Sequence, residues 1–80
     1  MIKINVNDYV CKNNLRKYRL QRSISQGELA KFLGVSRNTI SSIENKDVDV
    51  TLVLAIKICR FFGCPFDHMF RLEKKNEQTN

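Results

Sequence analysis

The fold of this 80-residue chain is decided by residues 25–45, SQGELAKFLGVSRNTISSIEN. Ser25, followed three residues later by Glu28, has the pattern of a capping box. In such a box the serine hydroxyl and the glutamate carboxylate each accept a hydrogen bond from a backbone N–H at the start of a helix. The box predicts a helix over residues 26–33. Gly34 then ends it, because glycine adopts the left-handed conformation of a helix stop at little steric cost.

A second helix is predicted directly after this stop. Ser36 is a favourable N-cap residue for a helix over residues 37–45. At 100° per residue, Ile40 and Ile43 lie on one side of that helix. The other side carries polar residues across about 140°: Arg37, Asn38, Ser41, Ser42 and Asn45. Two short helices joined by a tight glycine turn form a helix-turn-helix, and a projecting polar helix fits the major groove of B-form DNA.

Further helices are predicted on both sides of this pair. Apolar periodicity indicates a first helix over residues 15–23. A fourth, over residues 52–62, is apolar nearly all round and should lie in the centre of the domain. Its core side is predicted to consist of Leu52, Ala55, Cys59 and Phe62. Pro65 suits the first turn of a fifth helix that includes Phe70. Five short helices with short connections predict a compact all-α domain over residues 13–73.

The two ends of the chain differ from this domain. Residues 1–12 form an extension in which Ile2, Ile4 and Val6 alternate with polar residues, the period of a strand. A strand this short needs something to pair with or pack on. The extension is therefore predicted to be an arm, a cap on the helices or a dimer strand. Residues 74–80 are polar without periodicity and are predicted to be a flexible tail.

Charge is distributed unevenly along the sequence. Residues 1–46 carry nine Lys or Arg and three acidic residues, whereas residues 47–80 carry five of each, so the first half holds the whole formal net charge of +6. A localised basic surface favours a polyanionic partner, and the alternative is a solvated basic face without a partner. No apolar run approaches the ~18–20 residues of a membrane span, and the first residues lack a signal-peptide pattern. We therefore expect a cytoplasmic protein without a membrane partner.

The sequence predicts no metal site, no cofactor and no catalytic centre. Three cysteines without CxxC spacing fit neither a disulfide framework nor a zinc site. Cys59 falls in the apolar fourth helix and should act as a small hydrophobe. Cys11 or Cys64 is the alternative place for a redox switch, although no run of basic neighbours activates either thiol. His68 has no second ligand at metal spacing. Because a nucleophile–base pair, a carboxylate pair and a phosphate loop are all missing, the chain is not expected to be an enzyme.

Seven short pieces of sequence resemble one known family. They are LRKYR (15–19), SQGELA (25–30), LGVSR (33–37), TISSIEN (39–45), AIKI (55–58), FG (62–63) and MF (69–70). In this order and spacing they resemble the Cro/repressor-like helix-turn-helix family of phage repressors and small bacterial regulators. The resemblance runs from Leu15 to Phe70 and implies the same five-helix fold.

The resemblance also implies roles for individual residues. Arg37, Asn38 and Ser42 match the base-reading positions, and their chemistry agrees, since Arg pairs bidentately with guanine and Asn with adenine. Arg19 and Glu44 match a pair that forms an internal salt bridge. Phosphate contacts, which position a protein on DNA without reading sequence, are expected from Gln26, Ser36, Thr39, Ser41, Asn45, Lys46, Arg16 and Lys17.

Two departures from the family pattern fall in one loop. The family usually has Gly where this chain has Lys46, and Pro where it has Val50. Lysine in the left-handed conformation costs ~1 kcal/mol. Either the loop over residues 46–51 differs in geometry, or the third helix continues into it.

The implied function is sequence-specific binding of double-stranded DNA by a transcriptional regulator, with repression as the default outcome. Regulators of this kind usually bind palindromic operators as homodimers, and spare apolar residues on the fourth helix, Val50, Leu54 and Phe61, favour a second protomer or the 1–12 segment as their partner. No small-molecule ligand is expected, and the location would be the nucleoid. The alternative is a protein-interaction module, adaptor or antitoxin-like, that keeps the fold without specific DNA binding.

Overall fold

A computed structural model describes residues 6–46 and 48–75 of the chain. Within these ranges the order of elements starts with a 3-10 turn and ends with a strand. The elements are the turn Val6–Asp8, β1 Tyr9–Asn13, α1 Leu15–Gln21, α2 Gln26–Leu33, α3 Arg37–Asn45, α4 Leu52–Phe62, α5 Phe66–Met69 and β2 Phe70–Lys74.

Caps set the bounds of α2, α3 and α4. The Ser25 hydroxyl accepts a hydrogen bond from the Glu28 N–H at 3.0 Å, and the Glu28 carboxylate accepts one from the Ser25 N–H at 2.9 Å. Gly34 then takes φ 73°, the left-handed conformation. Ser36 and Thr51 accept hydrogen bonds from backbone N–H groups at the starts of α3 and α4. The predicted ranges of these three helices agree with the structure. Short-range chemistry fixes the starts of all three and, through Gly34 and Gly63, the ends of α2 and α4.

A small sheet corrects the all-α prediction. Strands β1 and β2 pair antiparallel, with Tyr9 opposite Lys74 and Asn13 opposite Phe70. Phe70, predicted in the fifth helix, starts β2, and Lys74, predicted in the tail, is its last residue. The two strands lie more than fifty residues apart in sequence, so local periodicity could not reveal their pairing.

The strand near the start of the chain is not the one that alternation suggested. Ile2 and Ile4 lie outside the described residues, and the backbone at Val6 begins the 3-10 turn. The strand β1 comes afterwards, at Tyr9–Asn13. It is held to the helical body where it ends, because the Asn14 N–H donates to the Met69 carbonyl at 2.9 Å and the Asn14 side chain donates to the His68 carbonyl at 2.9 Å.

The core draws residues from all five helices and from β2. Its buried members are Leu15, Leu29, Ala30, Leu33, Ile40, Ile43, Ala55, Ile58, Phe62, Met69 and Phe70. Helix α4 supplies Ala55, Ile58 and Phe62, a stripe at helical spacing. Leu52, expected on the core side, is 71% exposed because it is the first residue of α4 and lies at the edge of the domain. Cys59, also expected there, is half-buried.

Candidate nucleic-acid interface

Helix α3 has one face in the core and one face in solvent. Ile40 and Ile43 are 0% and 3% exposed and anchor the inner face. On the outer face Arg37, Asn38 and Asn45 are exposed. The side chains of Arg37 and Asn38 make no hydrogen bond or ion pair within residues 6–46 and 48–75, so their polar groups face solvent.

The turn between α2 and α3 fixes the direction in which α3 leaves the body. The Val35 N–H donates to the Ala30 carbonyl at 3.0 Å, and the Gly34 N–H donates to the Lys31 carbonyl at 3.3 Å. Ala30 is 3% exposed, and its small side chain permits close approach of the two helices. This is the helix-turn-helix geometry that the sequence predicted.

An ion pair locks α1 to α3. Arg19 donates from Nε to Glu44 Oε2 at 2.6 Å and from Nη2 to Glu44 Oε1 at 2.9 Å. Its Nη1 donates to the Ile24 carbonyl at 2.8 Å. The Glu44 side chain is 0% exposed and that of Arg19 is 9% exposed. Two buried charges in bidentate contact satisfy each other, and this pair has a structural place rather than a DNA-facing one.

Gln26 also binds the Glu44 carboxylate. Its Nε2 donates to Oε1 at 3.1 Å, so one carboxylate joins the last turn of α1 and the start of α2 to α3. Burial acts to raise the pKa of Glu44, but hydrogen bonds from Arg19 and Gln26, with the charges of Arg19 and Arg16, hold that pKa below its ordinary value. Glu44 is therefore an anion at neutral pH, and the Gln26 amide is held in a defined orientation at the N-terminus of α2.

Several hydroxyl and amide groups predicted to contact phosphate have partners inside α3. The Ser36 Oγ accepts from the Thr39 N–H at 3.1 Å and lies 3.0 Å from the Thr39 Oγ1. The Asn45 Nδ2 donates to the Ser41 Oγ at 3.2 Å. These pairs cap the helix or rigidify its surface, and their remaining hydrogen-bonding capacity faces outward.

The basic side chains fall into two groups. Arg16, Lys17, Arg37 and Lys46 are exposed. The charge of Arg16 also helps to lower the pKa of the Glu44 carboxyl in α3. Arg22 has a different environment. It donates to the Phe61 and Phe62 carbonyls at 3.2 and 2.8 Å and lies over both of their rings. Arg22 therefore neutralises the negative end of α4 and is not part of the outer basic surface.

Sequence reasoning missed two residues that position the helices. Besides Arg22, the Asn13 Nδ2 donates to the Ile43 carbonyl at 3.0 Å, in the last turn of α3. Carbonyls in the last turn lack intrahelical partners, and both residues supply donors from a distant part of the chain. Neither has a local sequence signal, because the acceptor lies 30 or more residues away.

The loop after α3 departs from the left-handed geometry of the family. Lys46 has φ −134° and ψ 154°, an extended conformation without strain, so α3 ends at Asn45. Val48, Val50 and Leu54 border a surface cleft of about 310 Å³ that Asn38 and Ser42 also line. Two of the three predicted base-reading residues thus share one concave surface with this loop.

The fold and the projecting polar helix define a DNA-binding protein of the helix-turn-helix class. The profile of the helix-turn-helix family matches residues 15–69. The chain therefore belongs to the Cro/C1-type helix-turn-helix family of transcriptional regulators, a family of regulators rather than enzymes. Within the described ranges, none of the helices has the length and hydropathy to cross a membrane.

Individual relatives agree with this assignment. The chain is 47% identical over 62 residues to the HTH-type transcriptional regulator MJ0272 of Methanocaldococcus jannaschii, covering 78% of this chain and 94% of the relative. It is 37% identical over 65 residues to the HTH-type transcriptional regulator YgzD of Bacillus subtilis, covering 81% of this chain and 98% of that protein.

Two solved structures share the fold. The crystal structure of the transcriptional regulator VanUg superposes with a TM-score of 0.73 at 22% identity, covering 94% of this chain and 100% of that one. The restriction-modification controller protein C.AhdI from Aeromonas hydrophila gives a TM-score of 0.62 at 25% identity, covering 69% of this chain and 83% of that one.

Proposed function

We propose that this chain is a sequence-specific regulator that binds double-stranded DNA by inserting α3 into the major groove. The observation that carries the proposal is the division of α3 into a fixed face and a free face. Core packing of Ile40 and Ile43 and the buried Glu44 carboxylate hold the helix. Arg37 and Asn38 project from it without partners in the described chain. Polar groups on a rigid helix lose little freedom on binding, which favours specific recognition.

Base reading is assigned to Arg37, Asn38 and Ser42. An exposed guanidinium at the start of α3 matches the paired acceptors of guanine, and an exposed carboxamide matches adenine. Ser42 is half-buried at the cleft beside Asn38 and is permissive in what it bonds. Contacts to the phosphates of the DNA backbone are assigned to the residues around these three: Gln26, Ser36, Thr39, Ser41, Asn45, Lys46, Arg16 and Lys17.

The active form is proposed to be a homodimer on a palindromic operator, with half-sites about one helical turn apart. Val50, Leu54 and Phe61, expected to be spare surface, pack partly buried against the core. Leu52 and Val53 are instead 71% and 62% exposed at the start of α4, which adjoins the cleft beside α3. These two side chains supply apolar area that a second copy would bury.

Light scattering tests this dimer surface. Changing Leu52 and Val53 together to serine should convert a dimer to a monomer, whereas Leu20→Ser, at a residue 58% exposed on α1, should not. An unchanged dimer in the double variant would place the interface elsewhere without affecting the proposal for α3.

Repression is the proposed outcome, because a domain of this size on DNA has little surface left with which to recruit polymerase. The proposed location is the cytoplasm, on the nucleoid. We propose no small-molecule ligand for this domain.

Selection from a randomised duplex pool, followed by titration at two salt concentrations, tests the main proposal. We expect a palindromic consensus bound ~10³-fold or more over random DNA. Arg37→Ala should weaken the cognate site by ~1–3 kcal/mol and relax one position of the consensus. Arg60→Ala, which removes an exposed arginine from α4 instead, is the matched control and should leave the consensus unchanged.

The protein-interaction module is the second candidate. Phe32 and Ile56 are 68% and 48% exposed and border one apolar cavity, which favours contact with another protein. Weak DNA binding that disappears with salt and yields no consensus would support this candidate over the first.

A further inference from the structure

The carboxyl end of α4 carries two cysteines that are joined by a backbone hydrogen bond. Gly63 takes φ 65° and ends the helix in the left-handed conformation. The Cys64 N–H then donates to the Cys59 carbonyl at 3.1 Å. In this type of helix ending, the two residues joined by that hydrogen bond regularly bring their side chains together. Here both side chains are thiols, and both border the same surface cavity.

Both thiols are accessible from solution. Each is half-buried, and both line one surface cavity together with Ile56, Arg60 and Phe66. The third cysteine, Cys11, lies on β1 and borders a different cavity. A small reagent can therefore reach Cys59 and Cys64 at a common site without unfolding the chain.

We propose that Cys59 and Cys64 form a dithiol site that takes a low-molecular-weight disulfide and closes into an intramolecular disulfide bond. A disulfide needs Cα atoms about 4.4–6.8 Å apart and side chains directed toward each other. The backbone hydrogen bond between the two residues, and the cavity that both side chains line, favour that arrangement. Cys59 and Cys64 are five residues apart, which is not the spacing of a CxxC motif. This spacing suits a disulfide bond here because the left-handed Gly63 between the two cysteines reverses the chain.

The reaction is an exchange between thiols and a disulfide. The Cys64 thiolate attacks one sulfur of the small disulfide and releases one equivalent of small thiolate. Cys59, after losing its proton to solvent, attacks the Cys64 sulfur and releases the second equivalent. Two protein thiols are thereby oxidised to one disulfide, and the small disulfide is reduced to two thiols.

This order of attack agrees with the surroundings of Cys59. Burial, and then the neighbouring Cys64 sulfur, raise the pKa of the Cys59 thiol above its ordinary value, which suits the slower, resolving role. The pair lies at the end of α4 opposite to Leu52 and Val53, about 10 Å along the helix, so the site and the proposed dimer surface are separate.

The test is titration of the full chain with glutathione disulfide, quenching with an alkylating reagent and mass spectrometry of the intact chain and its peptides. We expect the wild type and Cys11→Ser to lose two hydrogen atoms in the peptide that holds Cys59 and Cys64. At submillimolar glutathione this internal disulfide should exceed mixed disulfides by about tenfold or more. Cys59→Ser and Cys64→Ser should each retain one glutathione at the remaining thiol of the pair.

The same titration of the wild type in denaturing urea is a test that does not depend on whether the variants fold. Unfolding releases the helix end, so the preference for the internal disulfide should fall. Persistent mixed disulfides on both cysteines of the folded wild type, or cross-linked dimers through Cys11 without an internal bond, would overturn the proposal. An equal preference in urea would overturn it as well.

Discussion

The change Glu44→Gln probes the contact that joins three helices. The carboxylate accepts two hydrogen bonds from Arg19 and one from Gln26, and its side chain has no exposed surface. Glutamine keeps the shape and one acceptor oxygen. Its NH₂ group, however, faces Arg19 donors, and the guanidinium becomes a buried charge without a counter-ion.

The expected loss follows from these contacts. Removing one partner of a buried ion pair costs ~3–5 kcal/mol, and the retained acceptor oxygen places this change near the lower end. A domain of this length has a free energy of unfolding of roughly 4–12 kcal/mol. A loss of ~3 kcal/mol lowers the melting temperature by about 12–24 °C.

Urea unfolding at neutral pH measures the loss, and a double variant supplies the control. Changing Arg19 and Glu44 together to Met removes both charges and keeps most of the volume. Because no unpaired charge remains, the double variant should be less than half as destabilised as Glu44→Gln, although the Ile24 carbonyl loses its donor. A loss below about 1 kcal/mol in the single variant, the range of an exposed pair, would refute the reasoning. So would a double variant less stable than the single one.

Three further predictions test the charge, the turn and the acid response. Lys17→Ala should weaken binding to all duplexes alike and reduce the slope of log K against log salt by about 1, measured by titration over a salt series. Gly34→Ala should lower the free energy of unfolding by ~1–2 kcal/mol, because φ at Gly34 is 73° and an L-residue is strained there. No atom lies within 4 Å of the added Cβ, so the loss comes from backbone strain alone. Gly27→Ala, inside helix α2, should be neutral or stabilising because alanine has the higher helix propensity. The pKa of Glu44 is lower in the folded state than its ordinary value, so its contribution is complete above about pH 4.3 and is lost as pH falls through the folded pKa. Urea unfolding between pH 6 and pH 3 should show this loss in the wild type and a shallower one in Glu44→Gln.

The parts of the fold that short-range chemistry fixes could be read from the sequence. The capping box at Ser25 and the glycine stop at Gly34 place both ends of α2, and the cap at Ser36 places the start of α3. Each of these signals acts over three or four positions, so no distant partner is needed to interpret it.

The parts that depend on distant partners could not be read in this way. Phe70 continues an apolar helical pattern locally, yet it forms a strand because β1 offers a partner more than fifty residues away. From the sequence, Arg22 is indistinguishable from an exposed basic residue. In the structure its guanidinium donates to the Phe61 carbonyl at the end of α4, 39 residues away in sequence. The pairing of Cys59 with Cys64 depends on the left-handed Gly63 between them, which a search for metal or disulfide spacings does not include.

The same distinction applies to the candidate DNA-facing surface. The polar character of α3 follows from its sequence, and its residues lie where the periodicity places them. Which of those groups have partners within the chain is visible only in three dimensions, as with Ser36 and Thr39, whose hydroxyls lie 3.0 Å apart.

Under the proposed mode of DNA binding, the division of α3 into two faces separates the preference for an operator from the stability of the domain. Arg37 and Asn38 contribute neither to the core nor to the ion pair, so substitutions there change the chemistry offered to DNA while the scaffold stays intact. Ser36 and Thr39 belong to the helix cap and lack this freedom. A set of paralogous regulators with different targets could therefore arise from one scaffold by exchange at two neighbouring positions. The same two positions are where a library designed to redirect binding would be varied first.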